Sequence, residues 1–350
     1  MKPPLAIDLF AGAGGTTLAL KQAGYDVPVA IEIDPVKAQT LKHNQPRTNV
    51  LGLPGSVGDV TKIFAEDLYV AGLARDLSLA LLVACPPCQG YSTQGHQDPR
   101  DPRNRLFEDL LRLAGELDPR AVVVENVPGM ATTANGRFLS QLLSGLEDLG
   151  YSTDLWRLKA SQLGVPQDRD RLFIVGSHGT IPVPPASNAC PTAWQAIADL
   201  PAIPYADLAH RGRRTAYVRP PVCAYSRELR GRLRSVSGVE VSRHSEVLLE
   251  RIRDLAWGET DPVTRHRRID PRRPAPTLTA GSRSRTACRP IHPFRDRALT
   301  VREAARLASF PDWYEFPGVI AEAWSEIGNA VPPAMAAAVF KQVREAIADK

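Results

Sequence analysis

No apolar run in the 350 residues approaches the roughly 20 needed to span a bilayer. Membrane-embedded functions are therefore excluded. The first residues, Met1-Lys2-Pro3-Pro4, lead straight into a strand-like segment and carry no leader pattern, so the reading is a soluble protein that stays in the cytoplasm. Cysteine is scarce. The five present (Cys85, Cys88, Cys190, Cys223 and Cys288) are odd in number and widely scattered, which excludes a disulfide framework and fits reduced thiols. Cys85 and Cys88 form a single CxxC with no second pair and no spaced histidines, so no metal site is expected. Internal repeats and low-complexity tracts are absent, and lysine is missing altogether from residues 176–298.

What is present is a chain with 43% hydrophobic residues, enough for a large core in two domains or in one with an insertion. The formal net charge of +5 is unevenly spread. Residues 1–175 carry 17 basic and 20 acidic side chains, residues 176–298 carry 21 and 11, and residues 299–350 carry 5 and 7. All 21 basic residues of the middle third are arginine, whose planar fork suits phosphate oxygens and guanine edges. Nucleic acid is the natural partner of such a module. A proteome bias explains arginine over lysine but not the local excess of positive charge.

Short apolar runs alternate with helical patterns through the first half: a run over 5–10, a helix over 16–23, a run over 27–33, a helix over 35–43, then strands ending at Ala84 and Glu125. This alternation predicts an α/β fold with a doubly wound, mostly parallel sheet. After Arg171-Leu172-Phe173-Ile174-Val175-Gly176 the chain turns rich in proline and arginine, and a boundary is expected between Gly176 and Pro185. Helical patterning resumes at Thr300 and closes with an amphipathic helix over about 332–348. The expected division is 1–178 for catalysis and cofactor, 179–298 for a smaller irregular domain, and 299–350 for a return to the first.

Two strand ends deliver one reactive group each. Pro86-Pro87-Cys88-Gln89 follows one apolar run, and Glu125-Asn126-Val127 ends another. Ligands of open α/β sheets bind at the carboxyl ends of the strands, so a thiol and a carboxylate there read as nucleophile and acid on one substrate. A strand also feeds Asp8-Leu9-Phe10-Ala11-Gly12-Ala13-Gly14-Gly15, a nucleotide-type loop in which Thr17 stands where a dinucleotide fingerprint needs glycine. That weakens a nicotinamide-dependent oxidoreductase. Glu32 and Asp34 follow the second strand, at the place where a ribose is held, and Asp59 is a third acid at a turn. In Gln167-Asp168-Arg169-Asp170-Arg171 the alternation puts Gln167, Arg169 and Arg171 on one face, where two fixed cations suit an anionic or carbonyl-rich substrate.

These motifs occur in an order that resembles the C5-cytosine DNA methyltransferases of bacteria over nearly the whole chain. Residues 10–15 resemble that family's S-adenosylmethionine loop, Pro86-Pro87-Cys88-Gln89 its catalytic loop, Glu125-Asn126-Val127 its carboxylate motif, and residues 167–171 its QxRxR element. Residues 300–311 are similar to the helix after the recognition domain, Thr277 lies in its threonine-leucine element, and residues 328–333 resemble its closing motif.

The resemblance implies methyl transfer from S-adenosylmethionine to C5 of a cytosine flipped from a short specific site in double-stranded DNA. The catalytic residues implied are Cys88, Glu125, Arg169 and Arg171. Cofactor contacts are implied for Asp8, Phe10, Ala11, Gly12, Gly14, Gly15, Glu32, Ile33, Asp59, Pro86, Leu106, Asn329 and Val331, and DNA contacts for Gln89, Ser92, Gln167 and Thr277. The arginine-rich third would be the target recognition domain, and residues 90–105 a loop that closes on DNA. Ile33 departs from the aromatic found in some members, and Cys85 stands where small residues are common and is given no role. A monomer is expected, with any cognate restriction endonuclease acting separately. The rival readings are the same chemistry on tRNA and an inactive DNA-binding relative.

Overall fold

The computed structural model describes residues 2–87, 105–204, 213–280 and 289–348. The chain divides into two units: Met1–Lys159 with Asp170–Pro185 and Met335–Lys350, and Ala160–Arg169 with Ala186–Ala334. The expected return at residue 299 is thereby corrected, because 299–334 groups with the arginine-rich unit and the return begins at Met335. The short stretch 160–169 also leaves the first unit.

The first unit is built on Leu5–Leu9 (β1), Asp26–Ile31 (β2), Asn49–Leu51 (β3), Leu79–Ala84 (β4), Ala121–Asn126 (β5) and Ser152–Lys159 (β6). The two-residue strand Gln167–Asp168 (β7) belongs to the other unit, and Asp170–Ser177 (β8) completes the seven-stranded sheet in the order β3-β2-β1-β4-β5-β8-β6. Strands β1 to β5 run parallel, β8 lies antiparallel to β5, and β6 antiparallel to β8. Every residue of β1, β4 and β5 is buried. Both faces of these central strands are covered, which is why they read as unbroken apolar runs, whereas the edge strand β6 alternates.

The helices Gly15–Gln22 (α1) and Pro35–Asn44 (α2) follow β1 and β2, and Ala65–Val70 (α3), Leu106–Leu117 (α4) and Arg137–Asp148 (α5) follow in turn. Asp34 caps α2 by accepting from the Val36 N–H, and Pro35 opens the helix where its missing N–H costs nothing. From β1 the chain winds outward through β2 and β3, then returns to the other side of β1 as β4. The strand order therefore reverses between β1 and β4, and the crevice at their carboxyl ends is where such sheets hold ligands.

The second unit contains short helices, Ala193–Ile197 (α6), Ala224–Arg230 (α7), Glu246–Arg253 (α8), Val301–Leu307 (α9) and Ile320–Asn329 (α10), with the two- and three-residue strands Thr215–Ala216 (β9), Ser235–Val236 (β10), His266–Arg268 (β11), Ala275–Pro276 (β12) and Arg289–Ile291 (β13). Thr300 and Glu303 form a capping box at the start of α9. With so little regular structure, buried arginines supply the missing hydrogen bonds. Arg306 is fully enclosed and holds Asp199 and Asp312 at 2.6 Å each. Arg302 donates to the carbonyls of Ser237, Pro311 and Tyr314. Removing one partner of a buried network strands the others, so Arg306→Ala, which leaves Asp199 with Arg230 at 3.5 Å and Asp312 with the Tyr217 hydroxyl as their remaining partners, is expected to cost about 3–5 kcal/mol in urea unfolding. An unchanged midpoint would show that these charges do not hold the unit.

The last helix, Pro333–Ala348 (α11), closes the first unit from Met335 onward. Met335, Phe340 and Val343 are buried, and the Tyr25 hydroxyl donates to the Phe340 carbonyl at 3.4 Å. Among the described residues no helix is long and apolar enough to cross a membrane.

Candidate active site

Side chains alternate along strands, and level residues of neighbouring strands share a face. Asp8 is level with Val83, Val83 with Val123, and Glu125 with Phe173. Two-residue steps along each strand then put Asp8, Cys85, Glu125 and Arg171 on one face, at the carboxyl ends of β1, β4 and β5 and the start of β8. Glu125 is 8% exposed, and the Arg171 Nε lies 2.7 Å from its Oε1. Both side chains are nearly enclosed, so the pair interacts with little screening. Arg171 is fixed further by donating from Nη1 to the Asp170 carbonyl at 2.7 Å.

Asn126 joins the two strand ends. Its Nδ2 donates to the Pro86 carbonyl at 3.5 Å and its Oδ1 accepts from the Val127 N–H at 2.8 Å. The chain that leads into Cys88 is thus anchored beside Glu125. Cys88, Gln89 and Ser92, and most of the 90–105 loop, lie outside the described residues.

The glycine loop follows the carboxyl end of β1 and leads into α1. Phe10 and Gly12 both adopt a φ of 57°, and Gly14 a φ of 90°, so the turn from β1 into α1 passes three times through the left-handed region. A Cβ added to Gly12 would meet nothing within 4 Å, so open space faces the loop there. Glu32, at the end of β2, accepts from the Gly12 N–H at 2.7 Å and from the Asp34 N–H at 2.9 Å. Burial raises its pKa against those two bonds. Ile33 beside it is 66% exposed. Asp59 caps a short turn by accepting from the Thr61 N–H and hydroxyl, and the hydroxyl bond foremost lowers its pKa. Leu106 is half-buried at the first position of α4.

Four expectations need correction. Asp8 is fully buried and accepts the hydroxyls of Thr16 and Thr17 at 2.7 and 2.6 Å, so it shapes the loop from inside and presents no surface to a cofactor. Burial pushes its carboxyl up to about 7. Gln167 is also fully enclosed: its amide donates to the Leu307 carbonyl and accepts from the Leu278 N–H, both at 3.1 Å, so both ends are held by main chain and neither is offered to DNA. Arg169 is 2% exposed and gives Nη1 to the Leu278 carbonyl and Nη2 to the Gly328 carbonyl, at 2.7 and 2.8 Å. It does not share a face with Arg171, since β7 ends at Asp168 and β8 begins at Asp170. Alternation fails because the strand is broken between them. Thr277 donates to the Asp168 carbonyl and joins this same clamp, so its hydroxyl is committed within the protein.

Asn329 ends α10 with its Nδ2 3.4 Å from the Ser325 hydroxyl, and Val331 is buried; both belong to the second unit. Gly328 is required there, since a Cβ would come within 2.3 Å of the Ala280 nitrogen.

Sequence reasoning passed over several residues that build the site. Thr17 breaks a glycine pattern in the sequence, and its hydroxyl, donating to Asp8 at 2.6 Å, explains the threonine. Gly52 and Gly58 lie so close to Glu32 that an added Cβ would sit 1.7 and 2.3 Å from its carbonyl oxygen. Their spacing in sequence carries no signal of that approach.

Positive charge in the second unit is partly spent inside it. Arg268 is buried and donates to the carbonyls of Ile252, Leu255 and His292, Arg297 forks onto Glu303 with two bonds of 2.8 Å, and Arg272 forks onto Asp270 with two of 2.9 Å. Arg213, Arg219, Arg227, Arg232, Arg234, Arg243, Arg253, Arg265 and Arg295 are exposed with no acidic partner within salt-bridge distance among the described residues.

The model of one family, described as C-5 cytosine-specific DNA methylase, matches residues 5–345. The chain is 35% identical to the Type II methyltransferase M.XorII of Xanthomonas oryzae pv. oryzae, an alignment that covers 100% of this chain and 87% of the relative. It is 31% identical to the Type II methyltransferase M.DdeI of Desulfomicrobium norvegicum, over 96% of this chain and 88% of that one. Among solved structures, a DNA modification methyltransferase encoded within an E. coli prophage superposes with a TM-score of 0.82 at 28% identity, over 99% of both chains.

Proposed function

Because the chain belongs to the C-5 cytosine-specific DNA methylase family, we propose that it methylates a cytosine flipped out of a short specific site in double-stranded DNA, using S-adenosylmethionine and a covalent bond between Cys88 and C6. The observation that carries this reading is the enclosed Arg171–Glu125 pair, beside the strand end that leads to Cys88. C5 of cytosine is a poor nucleophile, so the ring must first be made electron-rich. The Cys88 thiolate adds to C6, while Glu125 gives a proton to N3 and accepts from the exocyclic amine. Arg171 holds O2 of the ring and keeps Glu125 turned toward it. Arg169, tied to two carbonyls, supports the segment that precedes Arg171. Loss of the C5 proton and expulsion of the thiolate then release 5-methylcytosine. A stacked base is out of reach of such groups, so extrusion at a cost of a few kcal/mol must come first.

S-adenosylmethionine, when bound, supplies an electrophilic methyl group that C5 takes up. The loop fits this cofactor: Gly12 opens onto free space, and each Glu32 oxygen has a second lone pair available for a ribose hydroxyl. Phe10 and Ile33 offer apolar surface to an adenine, Asp59 an acceptor for its amine, and Ala11, Gly14, Gly15, Pro86 and Leu106 complete the proposed pocket. Glu32→Gln places an amide N–H against one of two main-chain donors. It should weaken S-adenosylmethionine binding in calorimetry by about 1.5–3 kcal/mol, or roughly 10- to 150-fold. Unchanged affinity removes Glu32 from the pocket.

Exposed arginines without acidic partners support duplex DNA as substrate. The chain acts as a monomer, and the Type II names of its relatives support a modification role beside a separately acting endonuclease. Transfer of a labelled methyl group to duplex DNA and to tRNA, with bisulfite sequencing of DNA from expressing cells, tests substrate and site together. Labelling of tRNA alone overturns the reading.

A further inference from the structure

Cys85 has no part in the mechanism above, yet it stands between two acids on the polar face of the sheet. Ala84 is level with Val124, so the residues that follow, Cys85 and Glu125, are side by side at the ends of β4 and β5. The Cys85 N–H donates to the Leu9 carbonyl at 3.3 Å, which fixes the origin of the side chain against β1. The residue as a whole keeps partial exposure, and the register of β4 and β5 brings its side chain beside Glu125, whose charge acts on the thiol. Burial above all, then the charges of Glu125 and Asp8, push the thiol well up against the opposing pull of Arg171. It remains S–H and so serves as a donor, not as a second nucleophile. One oxygen of Asp8, buried on the same face, has no hydrogen-bond partner among the described residues and adds to the acceptor-rich surroundings of the sulfur.

We infer that Cys85 is a positioning residue: its S–H donates to Glu125 and, together with Arg171, fixes the orientation in which that carboxyl meets the pyrimidine. A carboxyl group has sites for both partners, since Arg171 takes only part of its four lone-pair positions. Without this donor, one restraint on the terminal torsion of Glu125 is lost. The inference rests on Glu125 acting on the base, as proposed above.

The test compares Cys85→Ala and Cys85→Ser with the wild type, by steady-state methylation of duplex DNA, S-adenosylmethionine binding and thermal melting. Alanine should lower kcat about three- to tenfold, the loss expected for one weak donor. KM for DNA and cofactor affinity should hold within about twofold, and serine, which keeps a donor, should restore roughly half or more of the rate. Equal rates for alanine and wild type, equal losses for alanine and serine, or a loss that tracks cofactor affinity or melting temperature would each overturn the inference. A wild type that transfers no methyl group to DNA overturns the functional reading itself. An active wild type with indifferent variants overturns the role of Cys85 alone.

Discussion

Cys88→Ser should lower methyl transfer by on the order of 10⁴-fold or more, because a serine hydroxyl is far less acidic and less nucleophilic than a thiol and no base is assigned to activate it. The ring would then stay electron-poor at C5, and a bound cofactor would have nothing to react with. S-adenosylmethionine affinity and DNA affinity should persist, since the exchange replaces one sulfur by oxygen and alters neither the glycine loop nor the arginine-rich unit in sequence. Measured transfer of labelled methyl to a duplex checks the first statement and calorimetry the second. A serine variant that retains even about one per cent of the rate would remove Cys88 from the nucleophilic role and leave the covalent step without an agent.

The fold was legible where the sequence pattern and the burial pattern coincide. Strands β1, β4 and β5 read as apolar runs because both their faces are covered, and α2 announced itself through Asp34 and Pro35. Glu125 could be placed at a strand end for the same reason, and the strand continues one residue past it. In the QxRxR element alternation presumes an unbroken strand, whereas β7 ends at Asp168, β8 begins at Asp170, and the division between the two units falls after Arg169. Arg169 and Gln167 look like substrate ligands in sequence, since nothing local reveals carbonyls contributed from positions more than 100 residues away. The same limit applies to the charge of the second unit. Net charge counts Arg268 and Arg297 as surface cations, whereas tertiary contacts commit them to carbonyls and to Glu303. Irregular units hide such arginines in particular, because short elements leave many backbone groups that need distant partners.

Glu125→Gln is expected to lower kcat by roughly 10²- to 10⁴-fold with little change in KM, because the amide keeps the shape of the side chain and loses the proton that N3 must receive. Arg171→Ala should fall in the same range by a different route. It removes the 2.7 Å partner of Glu125 and the donor for O2, and leaves a carboxylate nearly enclosed without its counter-charge. Arg171→Lys will not restore the rate, since a point charge cannot both bond Glu125 through Nε and reach the Asp170 carbonyl through a second nitrogen. If the two residues act as one device, the double variant Glu125→Gln/Arg171→Ala will be only slightly slower than either single one. Their coupling free energy would then approach the loss of one single variant, about 2.7–5.5 kcal/mol for 10²- to 10⁴-fold. Single-turnover methylation of a duplex reads all four rates directly. Strictly additive losses would mean that the ion pair positions nothing, and that the carboxyl and the guanidinium meet the substrate independently.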